Sequence, residues 1–369
     1  MKFTASKDTL LQQLQIVGGA ISTNTTLPIL EDFLFTLSGN TLRITATDLE
    51  TSMATDVEVA ANKNGTIAIP AKLLLDTLKS LPEQPLIFDI DPDALSVQLT
   101  ISGGSYKLLG EPGEDFPFFP EVLGEENFSI PSTILKKAID HTLFAVNTNE
   151  LRPAMNGVYF DLTASNINFV ATDGYKLAKF TRSDVANNTA HFIIPKKALT
   201  LLRKALPKEE VPVLVKYDDT NAFFSFEGVD LVCRLIDARF PNYNAVVPNN
   251  NTQLLTIDRQ VMLTSLKRIS MYANKTTYQV NLAIEQEQLT LFAQDFDFEN
   301  EAKETLTCVY NGDAMEIAFN ARFLIEILSV LRTPDITFQL STPQRACLIV
   351  PTEQEEQEDI LMLVIPTSV

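Results

Sequence analysis

Apolar residues recur at helical spacing in several segments of the chain, and alternating apolar and polar residues mark strands between them. In the first segment Leu10, Leu14, Val17 and Ile21 follow one another at intervals of three or four, which predicts a helix with one buried face. The run 33–37 alternates as half-buried strands do. The full pattern predicts six helices, over residues 7–22, 70–81, 132–147, 196–206, 258–274 and 320–332.

The same landmarks return at a period of about 125 residues. The tripeptide Ala46-Thr47-Asp48 returns at 171–173 and, as Ala-Gln-Asp, at 293–295. Asn147 and Asn274 are predicted to end the third and fifth helices, because Asn is a common helix terminator. The repeats predict three tandem domains of similar fold, over residues 1–125, 126–250 and 251–369.

Composition excludes several classes of protein. The hydrophobic content of 45% is that of a globular chain, and a disordered chain would hold fewer apolar residues. No apolar run is long enough to cross a bilayer and the N-terminus lacks a signal-peptide core, so we expect no membrane association and a cytoplasmic location. Cys233, Cys308 and Cys347 lie far apart and are interpreted as core residues rather than disulfide partners.

Positive charge is concentrated in the predicted helices of an acidic chain. The net charge is −18, which argues against nucleic acid binding over the whole surface, yet the six helices hold 14 basic and only 5 acidic residues. Lys72, Lys197 and Arg322 occupy the same repeat position. Helices also commonly expose lysine to solvent, and that interpretation stays open. The functional interpretation is a helical surface that faces DNA phosphates, formed by Lys72, Lys79, Lys136, Lys137, Lys196, Lys197, Lys204 and Arg322.

The chain resembles the bacterial beta sliding clamps, the processivity subunits of DNA polymerase III. The marks of the resemblance are Arg152, Asn156-Gly157, the run 171–178, Ile194-Pro195 and the run 239–243, in this order and within the threefold frame. The resemblance implies the α+β DNA clamp fold, with three tandem similar domains that each pack two helices on antiparallel sheets. It also implies a head-to-tail homodimeric ring that encircles duplex DNA without sequence preference and whose hole is lined by helices. The protein would be an accessory subunit of the polymerase, not an enzyme.

The resemblance further implies an apolar pocket that receives short linear peptides. The partners would be the replicative polymerase alpha subunit, the clamp loader delta subunit and repair polymerases. The C-terminal residues 365–369 depart from the family pattern, so peptide preference is expected to differ. Without the resemblance, Leu177, Val246 and Val364 would be interpreted as ordinary core residues. The matched pocket positions are Met155, Thr172, Gly174, Tyr175, Lys176, Leu177, Pro241, Ala245, Val246, Leu363, Val364, Ile365, Pro366 and Thr367.

A contact between subunits is implied between the end of the first repeat and the third repeat. Tyr106 and Leu108 fall at apolar positions on one side, where Lys107 is a candidate cation opposite an acidic edge of the third repeat. Met271 and Tyr272 fall at apolar positions on the other side. The third repeat would add an acidic edge formed by Asp295, Asp297, Glu299, Glu301 and Glu304. Among the loop positions of the family, Asn24 stands where arginine is common.

Catalytic, cofactor and metal sites are not predicted. The chain has no glycine-rich phosphate loop, and its two histidines, His141 and His191, lie apart without a cysteine cluster. His141 is interpreted as a surface or pore residue, and the acidic run 353–359 as a solvated loop. The recurrence of Asp48, Asp173 and Asp295 suits a repeated turn. The main alternative function is an open three-domain scaffold that binds peptides and never encircles DNA, and a metal-dependent nucleotidyl transferase is a more distant one.

Overall fold

Helices form where the apolar spacing predicts them, although several are shorter than expected. The computed structural model describes residues 1–22, 26–121, 126–185 and 188–367, so Asn24, Ser368 and Val369 lie outside the described part of the chain. The helices of the described residues are α1 (Lys7–Val17), α2 (Ala71–Ser80), α3 (Ser132–Thr142), α4 (Lys196–Ala205), α5 (Arg259–Ile269) and α6 (Ala321–Val330).

Strands make up most of the remaining regular structure. The first eleven are β1 (Lys2–Ser6), β2 (Asp32–Ser38), β3 (Thr41–Thr47), β4 (Thr51–Glu58), β5 (Ala60–Lys63), β6 (Gly65–Pro70), β7 (Pro85–Asp91), β8 (Ser96–Ile101), β9 (Gly104–Leu109), β10 (Glu111–Pro112) and β11 (Asn127–Pro131). The next seven are β12 (Gly157–Leu162), β13 (Ile167–Thr172), β14 (Lys176–Arg182), β15 (Ala190–Pro195), β16 (Pro212–Tyr217), β17 (Asn221–Phe226) and β18 (Val229–Arg234). The last nine are β19 (Gln253–Asp258), β20 (Gln279–Ile284), β21 (Gln288–Asp295), β22 (Asn300–Thr307), β23 (Val309–Tyr310), β24 (Met315–Asn320), β25 (Asp335–Leu340), β26 (Cys347–Pro351) and β27 (Glu358–Val364).

The chain divides into two compact units that share the middle repeat. Unit 1 comprises Met1–Lys136 with Lys197–Leu235, and unit 2 comprises Lys137–Lys196 with Ile236–Val369. The predicted domain boundary near residue 250 is not tested by this division, and the one near residue 125 falls in 122–125, outside the described residues. These boundaries therefore stay predictions.

Each unit contains one nine-stranded sheet and one smaller sheet. In unit 1 the strand orders are β10-β6-β2-β3-β4-β18-β17-β16-β11 and β5-β1-β7-β8-β9. In unit 2 they are β15-β12-β13-β14-β27-β26-β25-β19-β23 and β22-β21-β20-β24. The pairs between repeats, β4 with β18 and β14 with β27, are antiparallel like the pairs within repeats. The prediction of an α+β fold with antiparallel sheets is confirmed.

The predicted ends of the third and fifth helices are wrong. α3 ends at Thr142 and α5 at Ile269, several residues before Asn147 and Asn274. The Oδ1 atom of Asn147 instead accepts a bond from the Asn149 N–H at 2.9 Å, and that of Asn274 accepts one from Thr276 at 2.9 Å. Asn side chains close such local turns readily, and here they organise the loops that follow the helices.

Aromatic side chains fill the core of each unit. In unit 1 the rings of Phe3 and Phe88 stack with centroids 4.7 Å apart, and Phe35 lies 6.3 Å from Phe88. In unit 2 Phe160 meets Phe169 edge to face at 4.7 Å. All five rings are fully buried, and such pairs stabilise a core beyond the area that they remove from water.

Asp32 is a buried carboxyl at the start of β2. It is 6% exposed, and burial together with the nearby Glu111 and Glu31 carboxylates raises its pKa to about 7. Because the pKa is higher in the folded than in the unfolded chain, folding is favoured while Asp32 is protonated. That contribution is complete below about pH 4 and is lost as the pH rises through about 7.

We predict that Asp32→Asn raises the free energy of unfolding at pH 8 by up to roughly 4 kcal/mol, since the amide is neutral at every pH. At pH 4 the variant and the wild type should unfold at the same urea concentration. Asp89→Asn is the matched control, because Asp89 is exposed and its pKa is lowered by the hydrogen bond from Lys2. A gain for Asp32→Asn that is equal at both pH values would contradict the prediction.

Candidate functional sites

The three repeat-equivalent cations occupy the same position in their helices. Lys72, Lys197 and Arg322 are each the second residue of a helix, of α2, α4 and α6 respectively, and all three are exposed. Each helix follows directly on a strand end, at β6, β15 and β24. The repeat seen in the sequence is therefore a repeat of structure, which presents one positive charge at the start of each of these helices.

The surroundings of these three cations differ. Lys72 forms no salt bridge with any residue that the structure describes. The Lys197 ammonium lies 2.5 Å from the Oδ2 atom of Asp48. The Arg322 guanidinium carbon lies 3.4 Å from the ring centroid of Tyr278, a cation–π contact, and Arg322 forms no salt bridge within the described ranges of the chain.

The remaining predicted DNA-facing lysines fall into two groups. Lys204 is exposed, and Lys79 is exposed with its ammonium 3.9 Å from Asp76, too far for a strong pair. Lys136 is half-buried and donates to the Leu206 carbonyl at 3.4 Å, and Lys196 is also half-buried. The sequence could not separate these groups, since helical position alone does not report the depth of the side chain.

Lys137 is held by carboxylates of a distant hairpin. Its ammonium lies 2.7 Å from Glu358 and 2.9 Å from Glu355. Burial alone would lower the pKa of Lys137, but these two carboxylates outweigh burial and raise it. The interpretation of 353–359 as a solvated loop is confirmed for residues 353–357, which are exposed outside the strands, but it is wrong for Glu358, which begins β27 with its side chain only 3% exposed. DNA could use Lys137 only by displacing both carboxylates.

His141 is buried beside this network and not on the surface. It is 4% exposed, and its Nδ1–H donates to the Lys137 carbonyl at 2.7 Å. Burial lowers the pKa of its imidazole. The prediction of a surface or pore residue is therefore wrong, because His141 faces inward from α3 and packs against Phe180.

A groove of about 480 Å³ with a mostly apolar wall lies in unit 2. It brings together ten of the residues that the resemblance assigns to the pocket and adds Asn242 and Tyr243. The floor is buried, as Leu177 and Leu363 are, whereas Tyr175, Val246 and Ile365 are 44–61% exposed at the rim. The lining residues are Met155, Thr172, Gly174, Tyr175, Lys176, Leu177, Pro241, Asn242, Tyr243, Val246, Leu363 and Ile365.

Four of the expected residues do not line this groove. Val364 is fully buried, because successive residues of β27 point to opposite faces and Leu363 and Ile365 take the groove side. Ala245 is exposed beyond the lining. Thr367 donates its backbone N–H to the Ala318 carbonyl at 2.8 Å. The assignment of Val364 is corrected to a core residue, whereas those of Ala245, Pro366 and Thr367 stay predictions.

A tight turn closed by Asp173 shapes one wall of the groove. Its Oδ1 atom accepts the backbone N–H groups of Tyr175 and Lys176, both at 2.9 Å. Gly174 has φ +92°, a conformation that glycine adopts without strain. The turn therefore presents Tyr175 at the rim while Lys176 enters β14.

The cation of this groove is already neutralised. Lys176 is buried, with its ammonium 2.6 Å from Asp173 and 3.1 Å from Glu326. It also lies 4.4 Å from the ring centroid of Phe323. Two carboxylates and an aromatic face thus hold the charge, and the groove offers an apolar surface.

Tyr243 anchors the opposite wall and was missed by the sequence analysis. Its hydroxyl donates to Asp161 at 2.6 Å, and burial together with this bond raises its pKa. Tyr159 stacks on Phe240, the residue that precedes Pro241, with ring centroids 4.6 Å apart. The sequence motif 239–243 contained Tyr243, but nothing in the sequence indicated that its ring would face the groove.

The implied contact between subunits falls on two edge strands. In unit 1, β9 is the edge of its sheet, with Tyr106 40% exposed and Lys107 exposed. Leu108 is only 5% exposed, so its assignment to a contact surface is corrected. Leu109, on the other face of the strand, is 70% exposed and was missed.

In unit 2 the strand concerned is β22, one of the two edges of the four-stranded sheet. Met271, Tyr272, Asp297, Glu299 and Glu301 are exposed near this edge, as the resemblance implies. Phe296 and Phe298, which the sequence analysis missed, are 81% and 72% exposed in the turn before β22.

Two carboxylates of the expected acidic edge are used internally. Glu304 lies 2.6 Å from Arg268, and this bond lowers its pKa to about 2. Asp295 is buried and accepts the backbone N–H of Asp297 at 3.1 Å, which fits its interpretation as a turn residue. The acidic edge therefore consists mainly of Asp297, Glu299 and Glu301.

No group of three or more potential metal ligands occurs among the residues that the structure describes. Within the same residues, no helix combines the length and the apolar character needed to span a membrane.

Substituting glycine at the Asp173 turn tests its backbone strain. We predict that Gly174→Ala lowers the free energy of unfolding by about 1 kcal/mol, since a side chain at φ +92° is strained. The new methyl group would approach the Arg152 guanidinium at 3.0 Å, but that flexible side chain can move. Gly39→Ala is the matched control, because Gly39 has φ +58° and open space around it. Urea unfolding should show similar losses, and a loss for Gly174→Ala several times larger would contradict a cause in the backbone alone.

Comparison with known proteins places the chain in a family. Models of the DNA polymerase III beta subunit match its N-terminal domain to residues 1–120, its central domain to 129–242 and its C-terminal domain to 244–365. The beta sliding clamp of Haemophilus influenzae is 29% identical over 368 residues, 98% of this chain and 99% of that one. That of Escherichia coli K12 is 29% identical over 345 residues, 92% of this chain and 93% of that one.

Solved structures agree over the full length. A crystal structure of a sliding clamp, DNA polymerase III subunit beta, from Pseudomonas aeruginosa bound to griselimycin has a TM-score of 0.95 and 27% identity, with all of both chains covered. A second structure of the subunit from the same organism has a TM-score of 0.94 and 28% identity over all of both chains. The fold is thus that of three tandem clamp domains, and the chain belongs to the DNA polymerase III beta subunit family.

Proposed function

We propose that two copies of this chain close head to tail into a ring around duplex DNA and tether the replicative polymerase for processive synthesis. The observation that carries the proposal is the repeated cation, Lys72, Lys197 and Arg322, at one helix position in a chain of net charge −18. The protein is a processivity subunit of DNA polymerase III and not itself an enzyme. It would act in the cytoplasm, where a bacterial chromosome is copied.

Contacts to phosphate suit this task. Lysine and arginine that meet phosphates hold the duplex without reading bases, and they let a protein move along it. The acidic remainder of the chain keeps DNA from binding elsewhere on its surface. Retention would come from closure of the ring, so strong affinity for DNA is not required.

The edge strands support ring closure. β9 and β22 each leave one row of backbone N–H and C=O groups without a partner in their own sheets. Two different surfaces that meet head to tail form a ring when the rotation between copies closes. Tyr106 and Leu109 on one side, with Met271, Tyr272, Phe296 and Phe298 on the other, offer apolar contact area. Lys107 facing Asp297, Glu299 and Glu301 would set the orientation.

The groove of unit 2 would receive short linear peptides of partner proteins. Apolar peptide side chains would bury against Leu177, Leu363 and Val246, and exposed Tyr175 would cover them from the rim. We infer that the polymerase alpha subunit, the clamp loader delta subunit and repair polymerases dock here through such segments. Thr367 bonds to Ala318, so the C-terminal residues would contribute to this site less than the resemblance implies.

Topological retention can be tested directly. The protein is loaded on nicked circular DNA, and the DNA is then linearised. We expect the protein to stay on the circle and to leave the linear form within the time of a gel-filtration run, whereas bulky blocks at both ends should restore retention. Protein that remains on linear DNA without end blocks would contradict encirclement and favour an open scaffold.

The repeated cations can be tested by their effect on salt dependence. We predict that Lys72→Gln with Lys197→Gln lowers the magnitude of the slope of log K for a short labelled duplex against log salt concentration by up to about 3.6, since each phosphate contact contributes about 0.9 and the ring carries both substitutions twice. Lys63→Gln with Lys216→Gln removes the same charge from strands β5 and β16 and is the control. Equal changes in both double variants would attribute the effect to net charge and not to the helices.

A further inference from the structure

Asp48 closes a turn in the first repeat that is built like the Asp173 turn of the second. Its Oδ1 atom accepts the backbone N–H groups of Glu50 at 3.0 Å and Thr51 at 2.6 Å. These two bonds fix the carboxylate at the start of β4. The other oxygen, Oδ2, is then free to face a cation.

The cation that Asp48 faces is one of the three repeated helix charges. The Lys197 ammonium lies 2.5 Å from Oδ2, and it also approaches the Ala20 carbonyl at 3.5 Å. The Asp48 side chain is 13% exposed while that of Lys197 is 43% exposed. The carboxylate is therefore a fixed partner, and the lysine can exchange it for another anion from solvent.

The other two repeats use the equivalent aspartate differently. Asp173 gives its Oδ2 to Lys176 of its own turn at 2.6 Å. Asp295 meets the amide of Asn274 at 3.5 Å. Lys197 stands at the helix position that Lys72 and Arg322 occupy in the other repeats. Among the residues that the structure describes, the turn aspartate pairs with a cation at this helix position only in the case of Asp48.

We infer that Asp48 is an internal counter-ion for Lys197 that weakens the grip of this protein on DNA, an inference that rests on the proposed function. A phosphate that binds Lys197 must displace a carboxylate that stays close by. Because this carboxylate still offsets the charge of Lys197, fewer of the cations condensed on the DNA are released into solution. The contact of Lys197 with phosphate therefore contributes less to the affinity for DNA than the contact of an unpaired lysine would. It can also be broken more readily as the DNA moves. Asp48 is thus a positioning residue that acts through Lys197.

Asp48→Asn separates this role from the structural one. The amide oxygen can still accept the two backbone N–H groups of the turn, whereas the negative charge beside Lys197 is lost. We expect the affinity for a short linear duplex to rise roughly two- to fivefold at low salt, the range of a partly exposed ion pair. The slope of log K against log salt should steepen by up to about 0.9 for each of the two copies in the ring. Asp48→Ser keeps an acceptor for the turn and should act in the same direction.

Three further variants decide between the possible outcomes. Asp219→Asn changes the net charge equally in the turn between β16 and β17, and an equal rise in affinity there would overturn the inference. Lys197→Gln should flatten the slope, and Asp48→Asn added to Lys197→Gln should have no further effect. If Lys197→Gln flattens the slope but Asp48→Asn does not steepen it, the counter-ion role is wrong while the proposed function stands. If Lys197→Gln changes nothing, Lys197 does not meet DNA and the counter-ion role is wrong, while the proposed function is decided separately by the retention test on circular and linear DNA.

Discussion

Backbone hydrogen bonds in two antiparallel strand pairs join the sheets of neighbouring repeats, and the positions of the candidate sites depend on these two pairs. β4 pairs with β18 in unit 1, and β14 pairs with β27 in unit 2. Each pair fuses two half-sheets into one of nine strands and satisfies backbone groups that would otherwise form open edges. Because a register shift of one residue would turn every side chain to the opposite face, the ends of these strands are held firmly.

The same aspartate turn leads into both of these strands, and its second carboxylate oxygen serves different purposes. Asp48 precedes β4 and meets Lys197, while Asp173 precedes β14 and meets Lys176. In the second repeat the turn also carries Tyr175, which rises beside the apolar groove. The same type of turn thus recurs in two repeats with different roles. In the first repeat its aspartate pairs with the lysine at the start of a helix, and in the second repeat it shapes the wall of the candidate binding groove.

Local patterns in the sequence located the helices and the repeat, because apolar spacing and turn chemistry are properties of neighbouring residues. The same patterns did not reveal that Leu108 points into the core and Leu109 outward, since an edge strand alternates whichever face is buried. The pairing of Lys137 with Glu355 joins residues 218 positions apart, and no local signal marks it. Tyr243 likewise gains its place in the groove from a bond to Asp161, on a different strand.

A count of the basic residues in helices therefore overestimates the positive charge that is available to bind DNA phosphates. Lys137 and Lys197 are each held by carboxylates, whereas Lys72 and Lys204 form no salt bridge with any residue that the structure describes. A paired lysine that binds phosphate exchanges one anion for another, so only the difference in free energy contributes to affinity. For a protein kept on DNA by ring closure this is an advantage, because each strong phosphate contact would have to be broken at every step along the duplex.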